Sequence, residues 1–187
     1  MTNARWLSAE RATLATEQIL DAAGALFAEH GVAAVGMAEV AAAAGCSRAT
    51  LYRYFESRDA LRTAFVHRET RRVGAAVADT LAGITDPGER LVQAMVTSLR
   101  LVRGDATLAA WFTQGDAGLA AQLAQSSDVI HGLVVALLGD GLDPDVRRRA
   151  RWVVRVLVSL LADPGDDEDE ERTLIEEFVV PVVAGAR

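Results

Sequence analysis

The stretch from Met37 to Phe55 leaves the chain few ways to fold. Met37, Val40, Ala41 and Ala44 fall at i, i+3, i+4 and i+7, the offsets of one buried helical stripe. Gly45 follows, and glycine takes the left-handed conformation beyond a helix end without a Cβ penalty. Ser47 then offers an N-cap for a second short helix. On that helix Leu51 and Phe55 face inward. A step of about 100° per residue puts Ala49 and Arg53 on the opposite side, with Thr50 and Tyr52 flanking. A helix, a glycine turn and a second helix with a polar, aromatic and cationic outer face predict a helix-turn-helix at about residues 36–55. The second helix of such a motif fits the major groove of DNA.

The run Gly45-Cys46-Ser47-Arg48-Ala49-Thr50-Leu51-Tyr52-Arg53-Tyr54-Phe55-Glu56-Ser57-Arg58-Asp59-Ala60-Leu61 resembles the signature of the tetracycline-repressor (TetR) family of bacterial regulators. In words, that signature is Gly, apolar, Ser, any, small, Thr, Leu, Tyr, any, aromatic or His, Phe, any, Ser, basic, acidic, any, Leu. Upstream, Ile19-Leu20-Asp21-Ala22-Ala23, Leu26-Phe27 and Gly31 stand where the family places its first helix. The resemblance covers residues 14–74, and beyond it the chain is similar to the family in length and helical character. It implies a sequence-specific DNA-binding regulator of transcription, a homodimer that represses from a near-palindromic operator and is released by a small apolar effector. Ser47, Arg48, Ala49, Thr50, Tyr52, Arg53, Tyr54 and Arg58 form the implied DNA surface. Arg48, Thr50 and Arg53 are expected at base edges or adjacent phosphates, and Tyr52, Tyr54 and Arg58 at the backbone. Gly36, Met37 and Ala38 depart from the pattern, since relatives often carry Ser or Thr followed by a basic residue there. That departure and the net charge of −7 favour the alternative, a helical interaction protein that keeps the fold without reading DNA.

The charge is unevenly spread. Residues 1–72 carry nine Arg against eight acids, and residues 73–187 carry ten against eighteen. A near-neutral front and an acidic back fit a regulator with one DNA face and do not fit a protein that coats DNA. Lys is absent, so every cationic side chain is Arg, the better bidentate phosphate ligand. The single cysteine, Cys46, rules out an internal disulfide and a cysteine-based metal cluster. Cys46 reads as a packed side chain in the turn, with a redox sensor as the alternative. No signal peptide is visible, and the longest apolar run, Trp152 to Ala162, is too short for a bilayer and contains Arg155. A cytoplasmic protein is expected.

Chemistry has little to stand on. His30, His67 and His131 sit singly, without a nucleophile motif or metal-ligand spacing around them. Seven acids within residues 163–171 read as a solvated loop. No catalytic residue, cofactor or metal site is expected, and no enzyme.

In chain order the reading is all-α, with about nine helices and no strand-like alternation. Residues 1–12 are expected to form an arm, 13–74 the DNA-binding domain with its first helix from Thr13 to His30, and 75–187 a helical ligand-binding and dimerisation domain. A long helix from Ser57 runs toward Leu81; its Arg68, Arg71 and Arg72 form either a solvated face or a phosphate contact. Helices follow from Pro87, up to Trp111-Phe112, over 116–138, over 145–162 and from Glu170 to Val180, where Pro181 must kink or stop the last. Met95, Leu99, Trp111 and Phe112 are candidates for an apolar effector cavity; the other reading is that they fill the core. Between Trp152 and Leu161 apolar residues cover almost the whole helix circumference, leaving Arg147, Arg151, Arg155 and Ser159 as a narrow polar stripe. Burial on two sides predicts a dimer through Trp152, Val156, Leu160, Ile175, Phe178, Val179 and Val182, with Glu176 or Glu177 available to Arg155. The competing account covers both sides within one subunit.

Overall fold

Residues 2–113, 115–139 and 143–184 are described by a computed structural model, with side chains from Glu10 onward. Among them every regular element is helical, and two compact units form, Met1–Val66 and His67–Arg187. The division falls inside a helix, eight residues before the boundary expected after residue 74.

The first unit opens with α1, Thr2–His30. The expected arm is thus helical, and α1 starts well before Thr13. The local reason is composition: residues 2–12 hold Ala, Arg, Leu and Glu without Gly or Pro, and nothing there breaks a helix. The hydroxyl of Thr16 donates to the Ala12 carbonyl at 2.9 Å, a bond made inside a helix and not at its start. Ile19, Leu20, Ala23 and Phe27 bury the stripe read from the sequence, while Leu26 is half-buried. Gly31 closes α1 at a φ of 80°, its N–H on the Phe27 carbonyl at 3.0 Å. The ring of Phe27 meets that of Phe65 edge-on, centroids 5.3 Å apart.

Helix α2, Met37–Ala43, starts at Gly36, whose N–H donates to the Glu39 carboxylate at 2.8 Å. Gly45, at a φ of 68°, makes the turn, and α3 is Arg48–Tyr54. Helix α4, Arg58–Thr80, is capped by the Ser57 hydroxyl, which accepts from the Ala60 N–H at 3.0 Å. It continues unbroken into the second unit.

In the second unit, α5 is Pro87–Gly104, capped by Asp86 with Pro87 in its first turn. Helix α6, Ala106–Ala109, runs into a 3₁₀ turn over Ala110–Phe112. The single helix expected over 116–138 is two, α7 at Ala117–Ser126 and α8 at Asp128–Leu138, bent by 63°. Ser127 explains the break, since its side chain accepts the Ile130 N–H at 3.2 Å and so starts a new helix in the middle of an apolar run. Helix α9, Pro144–Ala162, is capped by Asp143, and α10, Glu168–Leu174, by Asp167. A wide π turn over Ile175–Val179 leads into α11, Val180–Val183. Pro181 accounts for the widening: it has no N–H, and its ring would meet the carbonyl four residues back in a regular helix. No single helix among the described residues is long and apolar enough to cross a membrane.

Leu91, Val92, Met95, Val96 and Leu99 of α5 pack with Val153 of α9 and with Ile175, Val179 and Val183 to form this unit's core. One ion pair fastens the same helices. Arg103 of α5 donates to both carboxylate oxygens of Glu171 at 2.6 and 2.7 Å and to the Leu160 carbonyl at 2.8 Å. Glu171 is only 2% exposed and also accepts the Gly165 N–H at 3.0 Å. These hydrogen bonds, the one from Arg103 first, hold the Glu171 carboxyl below its ordinary value of 4.5. A carboxylate lowered in this way stabilises the fold above pH 4.5 and loses that contribution as the pH falls through the lowered value. Replacing Glu171 by Gln should cost about 2 kcal/mol near neutral pH, since Arg103 is exposed enough to rehydrate. In urea unfolding the gap between parent and variant should narrow as the buffer is taken below pH 4.5; a gap independent of pH would exclude this role for the carboxylate.

Candidate nucleic-acid interface

A seven-residue helix cannot hold itself together in water, so α3 is stable only as part of its unit. Leu51 is fully buried and Phe55 nearly so, and these two anchor one face. At the start, the Ser47 hydroxyl accepts the Thr50 N–H at 3.0 Å. Before it, the N–H groups of Gly45 and Cys46 donate to the Ala42 and Ala41 carbonyls at 3.1 and 2.9 Å, which closes the turn from α2. Cys46 is a free, partly buried thiol inside that turn.

The opposite face is the one the sequence predicts. Ser47, Arg48, Ala49, Tyr52 and Arg53 are exposed, while Thr50 and Tyr54 are half-buried. Two side chains are already engaged. The Thr50 hydroxyl shares a 2.9 Å hydrogen bond with that of Ser47, so the cap and the threonine are one unit. Arg53 lies over the Tyr54 ring, 5.7 Å from its centroid, which steadies a long cation at the end of α3. Arg58, exposed at the start of α4, donates to the Ala33 carbonyl at 3.3 Å. An α-helix is about 10–12 Å across with its side chains and the major groove is about 12 Å wide, so a helix such as α3 has the diameter to fit it.

Sequence reasoning missed two residues that brace this face. Gln18 of α1 donates to the Ala44 carbonyl at 3.0 Å and satisfies the end of α2. Arg62 of α4 is buried, and its guanidinium donates to the Val32 carbonyl at 2.6 Å. Neither bond has a local sequence signal, because the partners lie 26 and 30 residues away.

The other candidates lie in the second unit. Arg68 and Arg72 are tied to acids of this unit, while the Arg72 side chain stays 56% exposed. Both bind the buried Glu69 carboxylate, at 2.8 and 2.6 Å, and Arg72 also binds Asp105, the N-cap of α6, at 2.5 Å. Arg71 donates to the His67 carbonyl at 3.3 Å. Burial, with Arg71 beside the one and Arg151 beside the other, holds His67 and His131 below 6.5, and Asp128 opposes this in both. Among the described residues no three His, Cys, Asp or Glu side chains are grouped to hold a metal. Met95 and Leu99 sit in the core, Trp111 is buried and Phe112 is half-buried. Met95 and Leu99 belong to the core cluster with Val153, Ile175 and Val179. An open apolar groove of about 520 Å³ lies elsewhere, lined by Trp152, Val156, Leu160, Leu174, Phe178 and neighbours. Trp152, Phe178 and Val182 are exposed, and Ile175 and Val179, grouped with them from the sequence, are buried in the core and also line the groove.

Residues 19–65 match the profile of the bacterial regulatory proteins of the tetR family. Over 190 aligned positions the chain is 53% identical to an HTH-type transcriptional regulator of Mycobacterium tuberculosis, itself described as uncharacterized, covering 100% of this chain and 94% of that one. The chain belongs to the TetR family. Solved structures of TetR-like regulators share its fold at low identity. AlkX of a Dietzia strain, a TetR family repressor implicated in n-alkane biodegradation, is 21% identical, with a TM-score of 0.67 over 91% of this chain and 96% of that one. RolR in complex with resorcinol is 21% identical, with a TM-score of 0.69 over 94% of each chain. FadR of Bacillus subtilis in complex with stearoyl-CoA is 18% identical, with a TM-score of 0.61 over 91% of this chain and 99% of that one.

As a TetR-family, DNA-binding regulator of transcription, this protein should respond differently to losing each outward cation. Arg48→Ala should cost about 1–3 kcal/mol on its preferred duplex and relax base preference at one position. Arg58→Ala should weaken all duplexes alike and reduce the slope of log affinity against log salt by about 0.9. Gel shifts across a salt series measure both, and an unchanged slope in Arg58→Ala would remove Arg58 from the phosphate contacts.

Proposed function

We propose that the protein is a homodimeric repressor that occupies a near-palindromic operator in the cytoplasm and leaves it when a small apolar effector binds the second unit. The apolar groove of that unit carries the dimer. Trp152 and Phe178 line it at 44% and 63% exposure, and Val182, 56% exposed, follows Phe178 one turn on, so large apolar side chains are grouped at the surface as at an interaction site. Arg155 stands in the groove wall, donating to Gln125 at 3.4 Å, and on the adjoining turn Glu176 pairs with Arg172 at 3.5 Å while Glu177 is exposed, so charges of both signs border the groove. A two-fold symmetric dimer carries two copies of α3 related by the same symmetry, which accounts for a near-palindromic operator.

The effector reading has a different support. Helix α8 is strongly apolar, with Val129, Ile130, Leu133, Val134, Leu137 and Leu138, yet none of its residues is fully buried. A helix of that composition is normally enclosed, and a bound apolar molecule would complete its cover. The fold is shared with regulators that hold resorcinol or stearoyl-CoA, so the architecture is compatible with such cargo. An effector releases DNA only if it binds the DNA-free state more tightly.

Light scattering at micromolar concentration should give the mass of two chains. Phe178→Glu, which places a charge at the centre of the groove, should give one chain and lower affinity for the palindromic duplex about a hundredfold, with half-site binding retained. A single-chain mass for the parent protein would refute the dimer. For the effector, a panel of neutral phenols and acyl-CoA thioesters screened by thermal shift should contain a compound that stabilises the protein by about 2.7 kcal/mol at a hundred times its Kd and also dissociates the DNA complex. A compound that stabilises without dissociating would refute effector-controlled release.

A further inference from the structure

We propose that Arg62 is a positioning residue for DNA reading, one that sets the register of the helix-turn-helix against α4. Arg62 lies one turn after Arg58 and is 4% exposed among the apolar side chains of the first unit. Its guanidinium donates to the Val32 carbonyl at 2.6 Å and to the Asp59 carboxylate at 3.3 Å. Arg58 reaches the next carbonyl, that of Ala33, at 3.3 Å. Val32 and Ala33 belong to the short link between α1 and α2, which begins at the Gly31 turn and ends at Gly36, the N-cap of α2. Two consecutive carbonyls of this link are therefore held by two arginines one turn apart on α4.

The apolar contacts around the link do a different job. Val32 and Val35 are buried, and Phe27 packs on Phe65, so the distance between α1 and α4 is fixed by packing. Apolar packing is non-directional and tolerates small slides, whereas a short charge-assisted hydrogen bond fixes angle as well as distance. The Arg62 bond, shorter than that of Arg58, is thus a directional contact between α4 and the entry to α2. Since α2 carries the Gly45 turn and α3 with it, a slide at Val32 would displace Arg48 and Arg53 from their bases without unfolding anything. Stability alone does not account for this residue, because burying the guanidinium carries a desolvation cost that offsets part of what its bond to the Val32 carbonyl contributes. Its burial also keeps Arg62 away from phosphate, in contrast to Arg58.

The test uses the full chain, its tightest duplex selected from a random library, and an unrelated duplex of equal length. In Arg62→Met the melting temperature should fall by no more than a few degrees, the cost of one unbonded carbonyl. Affinity for the selected duplex should fall about tenfold, affinity for the unrelated duplex should hold, and the salt slope should match the parent's. Arg62→Lys, which keeps a charged donor for the Val32 carbonyl, should recover part of the loss. Parent-like affinity in Arg62→Met would overturn the proposal, and so would a reduced salt slope, which would mean phosphate contact. A loss on both duplexes in step with the melting temperature, or failure of both variants to fold, would make Arg62 a structural residue and overturn it as well.

Discussion

The rest of the DNA-reading unit depends on the burial of Leu51 and Phe55. A helix as short as α3 has no stability of its own, so its position is whatever its two inward side chains and its serine cap dictate. This arrangement frees the outward face. Arg48, Ala49, Tyr52 and Arg53 contribute little to folding and can answer to DNA alone. The coupling between the two faces is geometric. Anything that shifts the pocket under Leu51 moves the outward residues as a set, and for that reason bonds such as Gln18 to Ala44 matter to recognition although they never touch DNA.

How much of this was legible in the sequence follows from the range of each interaction. The turn at Gly45, the cap at Ser47 and the inward pair at Leu51 and Phe55 are local, and the structure has each where the spacing puts it. The Asp-Pro steps at Asp86 and Asp143 likewise begin helices. The break at Ser127 was also local but hidden, because a single capping serine inside an apolar run competes poorly with the periodicity around it. Residues 2–12 went the other way: their mixed polarity suggested an arm, and their helix propensity prevailed. Least legible were the long-range arginine contacts.

Those contacts change the meaning of the charge count. Arg62, Arg72, Arg90 and Arg103 are fastenings, each reaching a carbonyl or carboxylate on another element or at a loop end. Arg90, for example, donates to the carbonyls of Leu81 and Ile84 and so holds the turn that precedes its own helix. A planar guanidinium with five donors suits such work, since one side chain satisfies several carbonyl or carboxylate oxygens at once. In a chain without lysine, the cations available to DNA are therefore fewer than the sum, and those near α3 are Arg48, Arg53 and Arg58.

The wide turn at Ile175–Val179 has a consequence for how this chain tolerates change. The Val180 N–H reaches back five residues to the Ile175 carbonyl, so one residue more than usual is spent on that turn. Ile175, Val179 and Val183 point to the core, while Phe178 and Val182 point away from it. The two sets are interleaved. In a regular helix, deleting one residue rotates everything beyond it by about 100°. Here the widened turn already holds one residue in excess, so a change of one residue is absorbed locally and the core-facing and outward-facing sets beyond it keep their places.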